Sequence, residues 1–245
     1  MVVYSRGLQL IEQSLAVVQS LIPESLHAQA FIAGGAAIAP HTASDVDVWV
    51  IGDEDSRDAL FDFAEAKWGT LLGGQAPALT VFAQGDGKWQ HPAGLTEEEA
   101  EAYRIAITEN WRDAGIRMVG TAQTSKGSKP IQVLHASKVY GVTDLLSYFD
   151  ISVHAWARSV GNSKAYYAGN WATLPSALPR VTRWNTPATT VRRLRKLLHR
   201  YGWDTRTHPD YAALKAEAER KNQLAAFNTL MLYDPSRVYE DEIPF

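Results

Sequence analysis

The stretch FIAGGAAIAPHTASDVDVWV, residues 31–50, decides how the chain is read. Its end, Asp45-Val-Asp-Val-Trp-Val50, alternates acids or a ring with valines, the period of a half-buried strand. In such a strand Val46, Val48 and Val50 share one face and Asp45 and Asp47 share the other. The valines would bury while the acids converge. No lysine or arginine stands between the two carboxylates, so they repel one another unless a cation joins them. Magnesium, a hard ion held by one or two carboxylates together with substrate phosphates, or manganese in its place, suits such a pair. In two-ion sites one metal activates the attacking oxygen while the other holds the leaving group. Two ions are the expectation here.

Upstream, AQAFIAGG (28–35) reads as a short strand entering a glycine turn. Gly34 and Gly35 carry no Cβ, so their backbone can come close to a phosphate and offer N–H groups to it. The apolar AAIA that follows is suited to open a helix whose N-terminus would face the same phosphates. Nine residues separate Gly35 from Asp45, consistent with a single site.

Beyond this stretch the composition sets limits. The chain has 245 residues, 46% hydrophobic and 21% charged, enough to bury a core and too apolar for disorder. A net charge of -3 predicts no global attraction to nucleic acid, so any such binding must be local. The absence of cysteine excludes disulfides, thiolate zinc sites and a cysteine nucleophile. Arg6, Glu12 and Gln13 interrupt the N-terminal apolar segment, which argues against a signal peptide or membrane helix. A cytoplasmic protein is expected. There is no G-x-x-x-x-G-K-[ST] and no G-x-S-x-G, so neither a P-loop ATPase nor a serine hydrolase of that class has support.

Periodicity predicts a helix over 5–22, strands at 28–35 and 45–52, a helix at 54–68, a strand at 78–83 and a partly helical segment at 95–111. IRMVGTAQT (116–124) and PIQVLHA (130–136) flank the turn-rich SKGSK as a strand pair, VTDLLSYF (142–149) suggests a short helix, and DISVHAWA (150–157) alternates as a strand. From 189 onward the chain reads helical. The expectation is an α/β region over 1–158 followed by a mainly helical region over 159–245.

The pattern of a hydrophobic residue, a glycine pair, a spacer and aspartate–hydrophobic–aspartate resembles the nucleotidyltransferase superfamily. PIQVLHA, SYFDISVHAWA and TVRRLRKLLHRYGW resemble segments that occur in that order in bacteriophage-encoded nucleotidyltransferase-like proteins, so the resemblance spans most of 28–203. It implies an α+β, polymerase-β-like mixed sheet with flanking helices, and transfer of a nucleoside monophosphate from a nucleoside triphosphate such as ATP to a hydroxyl acceptor. That acceptor would be an RNA end such as tRNA, a protein or a small molecule, in the host cytoplasm if the chain is phage-encoded.

The resemblance also implies a third carboxylate on a neighbouring strand. The strand at 130–136 instead carries Gln132, a neutral and poorer magnesium ligand. Asp150 is the candidate third ligand, with Asp144 behind it; Asp150 alternatively caps or orients a turn. Gly34, Gly35 and Ser44 would contact the triphosphate. Gln132 keeps open a second reading, a catalytically inactive nucleotide- or RNA-binding relative.

Arg192, Arg193, Arg195, Lys196 and Arg200 place five positive charges in nine residues, with Val191, Leu194, Leu197 and Leu198 as the inner face of a helix. A solvated basic face is the common meaning of such a run, and contact with phosphate by Arg192, Arg193 or Lys196 is the alternative. The tryptophans, including Trp156, Trp171 and Trp184, would pack the core or stack on bases. His135 and His154 lack a second histidine at ligand spacing and are read as structural.

Overall fold

The computed structural model describes residues 15–38, 43, 45–68, 96–98, 115–122, 130–167, 179–184, 186–199 and 202–232. These gather into two compact units. The first holds everything described up to Phe149 except residues 96–98, and then Val153 to Tyr167; the second holds those three, Asp150–Ser152 and the residues from 179 onward.

The first unit is built on a six-stranded mixed sheet. Its strands are β1 (Ala30–Ala33), β2 (Val46–Ile51), β3 (Ile116–Ala122), β4 (Ile131–Ala136), β5 (Trp156–Ser159) and β6 (Ala165–Tyr167), in the order β3-β4-β2-β1-β5-β6. Among the described strands β2 and β4 run parallel, which needs the long connection between them, and the other neighbours are antiparallel. Helices described in this unit include α1 (Gly35–Ile38), α2 (Glu54–Phe63) and α3 (Val142–Ser147). The fold is therefore α+β with a mixed open sheet.

The valine alternation sets the orientation of β2. Val46, Val48 and Val50 are buried at 7%, 0% and 0% exposure, while Asp47, Trp49 and Ile51 are half-buried on the other face. Slipping the strand by one residue would expose three valines, each worth about 1.5–3 kcal/mol when buried, and drive Asp47 into the core. The valine face packs with Leu60, Ala64 and Trp68 and with Leu15, Val18, Leu21 and Ile22, whose segment is helical over 15–20. Trp68 is fully buried and its indole N–H donates to the Leu21 carbonyl at 2.9 Å. The helix expected over 54–68 is present but changes from α to a π turn at Ala64–Trp68. Asp53 caps its start, accepting from the Ser56 N–H at 3.0 Å and the Ser56 hydroxyl at 2.7 Å. Gly52 makes that cap possible, since a Cβ there would lie 2.7 Å from the Ser56 Cβ.

One expectation changes. The strand expected over 150–157 is a single bridge, Ile151 to Val181, then a 3-10 turn at Ser152–His154, and only then β5. Ser152 N–H donates to the Arg180 carbonyl and Thr182 N–H to the Asp150 carbonyl, both at 2.9 Å, so these backbone bonds bind the segment to residues 180–182 of the second unit. His154 consequently sits in the turn, off any strand. The helix expected after the glycine pair opens at Gly35 and is described over Gly35–Ile38. His135 is on β4, in line with the strand expected there, and is fully buried, with neither ring nitrogen hydrogen-bonded among the described residues. Burial, with a smaller effect from the Arg57 charge, pushes its pKa below the ordinary 6.5. The expected strand at 78–83, the helix before residue 15 and nearly all of 95–111 lie outside the described residues.

The second unit contains α4 (Pro187–His199), α5 (Tyr211–Arg220) and α6 (Leu224–Leu232), matching the helical reading of the chain after 189. α4 buries Val191, Leu194 and Leu198 against α5 and α6, and Tyr211 meets Phe227 with ring centroids 5.7 Å apart. Asp210, 6% exposed, clamps the preceding segment by accepting from Arg180 Nε at 2.9 Å and Nη2 at 2.6 Å and from the Val181 N–H at 2.9 Å. His208 Nδ1 accepts from the Asp210 N–H, which leaves Nε2–H to donate to the Pro179 carbonyl. The hydrogen bonds from Arg180 hold the Asp210 carboxyl below the usual carboxylate range.

Candidate active site

β1 and β2 bring the glycine turn and the paired acids together. Ala33, the last residue of β1, is the register partner of Asp47, so the chain enters the glycine turn beside that carboxylate. Gly34 takes φ +82, a conformation costly for residues with a Cβ, and a Cβ there would lie 3.8 Å from Asp47 Oδ2 and 3.3 Å from a Phe149 ring carbon. Glycine is therefore required at 34 on two counts. At Gly35 an added Cβ would meet nothing within 4 Å among the described residues. The N–H of Gly34, expected to face a phosphate, instead donates to the Trp156 carbonyl at 2.9 Å. That donor belongs to the sheet.

Asp45 lies in the bend that opens β2, and both it and Asp47 are half-buried. Ser44 lies outside the described residues. On the other flank, the parallel register sets Gln132 of β4 directly beside Asp47, and Thr121 of β3 beside Gln132. The third-acid position implied by the resemblance is thus filled by a half-buried amide. Among the described residues no group of three acidic or imidazole side chains forms a metal cluster.

Asp150 and Asp144, the two proposed third ligands, are engaged elsewhere. Asp150 belongs to the second unit and is 6% exposed; its Oδ2 accepts from the Thr190 hydroxyl at 2.7 Å and from Arg193 Nη1 at 3.0 Å. Asp144 Oδ2 accepts from the Tyr140 N–H at 3.0 Å, tying the turn before α3 to its first turn. Arg193 serves as the Asp150 counter-ion, and Arg192 and Lys196 lie half-buried on the same helix. Arg200 and Trp171 lie outside the described residues.

Two aromatic residues were missed by sequence reasoning. Trp49, two residues after Asp47 on the same face, packs edge-on to Phe149 with centroids 6.2 Å apart, and its indole N–H is buried with no acceptor among the described residues. Phe149 touches both the Gly34 turn and Trp49, so it forms the apolar wall beside the acids. The alternation of β2 placed Trp49 with Asp47, which is the signal that could have drawn attention to it. Nothing in the sequence pointed to Phe149, because its contact comes from a separate helix-turn segment. Trp156, expected to pack, stacks on Tyr167 at 4.5 Å between centroids.

The donor chemistry of this edge suits a hard divalent cation, with two carboxylates two residues apart and a neutral amide oxygen available at Gln132. Comparison with protein families, with curated proteins and with solved structures finds no match. Among the described residues no helix is long and apolar enough to cross a membrane.

Proposed function

We propose that the chain is a magnesium- or manganese-dependent nucleotidyltransferase whose site is the Gly34–Gly35 turn with Asp45 and Asp47. The observation that carries the reading is the juxtaposition of the Gly34 turn with Asp47: a backbone stripped of Cβ atoms lies against a half-buried carboxylate at the opening of a strand. In the reaction an acceptor hydroxyl oxygen attacks the α-phosphorus of a nucleoside triphosphate, the bond from that phosphorus to the α,β-bridging oxygen breaks, and pyrophosphate leaves. The hydroxyl proton passes to solvent. Two divalent cations, when bound, would lower the hydroxyl pKa and neutralise the triphosphate charge. Asp45 and Asp47 would hold them. The backbone at Gly35 would contact the triphosphate, and Phe149 and Trp49 would shield one side of the site from water. Such chemistry asks for positioning and charge compensation more than for covalent help.

Asp150 was the candidate to complete the ligand set, yet its contacts with Thr190 and Arg193 support the alternative role of orienting a turn. Arg192 and Lys196 keep the proposed role of meeting phosphate. A second reading, a nucleotide or RNA binder without transfer activity, is favoured by one observation: Gln132 stands beside Asp47 where a third acid would serve catalysis. Incubating the full chain with each labelled triphosphate, magnesium or manganese, and RNA or protein acceptors decides between them. Pyrophosphate release with label transfer supports the enzyme; nucleotide binding without release supports the binder.

A further inference from the structure

A cleft of about 200 Å³ lies wholly within the second unit, among the last turn of α4, the loop after it and the end of α6. Arg195 and His199, one turn apart on α4, line it together with Trp203, Asp204 and Arg206, and Met231 of α6 closes it. Gly202, at φ +68, ends α4 with its N–H on the His199 carbonyl, while the Trp203 N–H reaches the Leu198 carbonyl, both at 3.0 Å. This paired closure is the glycine C-cap in which the next residue's N–H satisfies the helix end. It fixes the backbone of Trp203, whose side chain remains half-exposed at 50%.

The charges of the cleft suit an anion. Among the described residues that line it the one carboxylate, Asp204, caps the 3-10 turn at Thr205–Thr207 by accepting from the Arg206 N–H at 3.0 Å. Two guanidinium groups and an imidazole line the same cleft. Helix C-termini disfavour anions, but here the terminal carbonyls of α4 are hydrogen-bonded by the cap and Leu230 O accepts from Arg195 Nη1 at 3.4 Å. The volume is below the roughly 300 Å³ at which pockets begin to enclose whole small molecules, so it admits a phosphate and leaves the rest of a ligand outside. The indole of Trp203 lines the cleft and is half-exposed, and an indole is a ring on which a base can stack.

We propose that this cleft binds a nucleotide unit, its phosphate among Arg195, His199 and Arg206 and its base stacked on Trp203. The site needs neither the acids of β2 nor a metal. The test is fluorescence anisotropy of the full chain with a fluorescein-labelled oligoadenylate RNA in EDTA, with AMP and inorganic phosphate as competitors. Arg206→Gln and Trp203→Leu alter exposed side chains and should leave the circular dichroism spectrum unchanged, and Arg220→Gln, on α5, is the control. Trp203→Leu should weaken RNA binding about 5- to 150-fold, the worth of one stacked base. Arg206→Gln should weaken it and make the salt slope shallower by about 0.7. AMP competing as well as the RNA identifies a single-nucleotide pocket; RNA far tighter than AMP identifies a strand site. Binding by both variants equal to wild type, or no binding by wild type, overturns the proposal, and an unchanged Trp203→Leu alone overturns the base contact. Because metal and triphosphate are absent, failure here leaves the transfer reading standing, and loss of transfer leaves this site standing.

Discussion

Aspartates in the two units occupy opposite environments. In the second unit Asp150 and Asp210 are each 6% exposed and each is matched by an arginine and further donors. In the first, Asp45 and Asp47 are half-buried at the opening of a strand, beside a glycine that leaves room next to one of them. The buried acids join segments far apart in sequence, across 40 residues for Asp150 to Thr190 and 30 for Arg180 to Asp210. A carboxylate buried among protein donors is a structural anion, and a less buried one can serve a ligand. Acid type and spacing do not separate the two pairs; burial does.

The largest expected effect breaks this comparison on the functional side. Asp47→Asn should reduce metal-dependent transfer by at least about 100-fold, as expected when a metal ligand's charge is lost, while thermal unfolding is unchanged. Transfer at the wild-type rate would move the site elsewhere. Asp210→Asn should do the reverse, lowering stability by about 1–3 kcal/mol through weakened bonds to Arg180, discounted because that arginine is 61% exposed. Asp150→Asn should likewise lower stability by about 1–3 kcal/mol, since Arg193 is partly solvated. If Asp150→Asn instead abolished transfer with unchanged unfolding, Asp150 would return as a ligand.

Much of the first unit was legible because β2 and its neighbours follow simple periods. The valine alternation oriented Asp47, and the strand pair at 116–124 and 130–136 appeared as β3 and β4. Gln132 was noted as the wrong residue for a third acid, but only the parallel β2–β4 register shows that it stands beside Asp47. The 150–157 segment misled because Ile151, Val153 and Ala155 alternate as in a strand, whereas its start forms backbone bonds to residues 180–182 and its middle is a 3-10 turn. Those partners are some 30 residues distant and leave no local mark. The engagement of Asp150 by Thr190 and Arg193 was hidden for the same reason.

A sharper form of the comparison adds an acid. Gln132→Asp would place a third carboxylate beside Asp47; without metal the added repulsion should lower the melting temperature by a few degrees, and millimolar magnesium should restore it. No magnesium dependence would argue against ligation at this edge.

The smallest effect concerns pH. His135 has a folded pKa below its ordinary 6.5, so the folded state favours the neutral ring. Its contribution is complete above about pH 6.5 and declines as pH falls through the window between that value and the depressed one. His135→Leu should flatten this part of a stability–pH curve. Asp210, held below the ordinary 3.8, gives a second decline in more acid solution, which the leucine variant should retain and Asp210→Asn should lose.

Manganese binding, followed by electron paramagnetic resonance with and without ATP, addresses the paired acids most directly. The wild-type chain should bind the ion, more tightly with ATP present, and Asp144→Asn and Asp210→Asn should match it while the Asp45→Asn, Asp47→Asn double variant loses binding. Undiminished manganese binding by that double variant contradicts the assignment of Asp45 and Asp47 as the metal site.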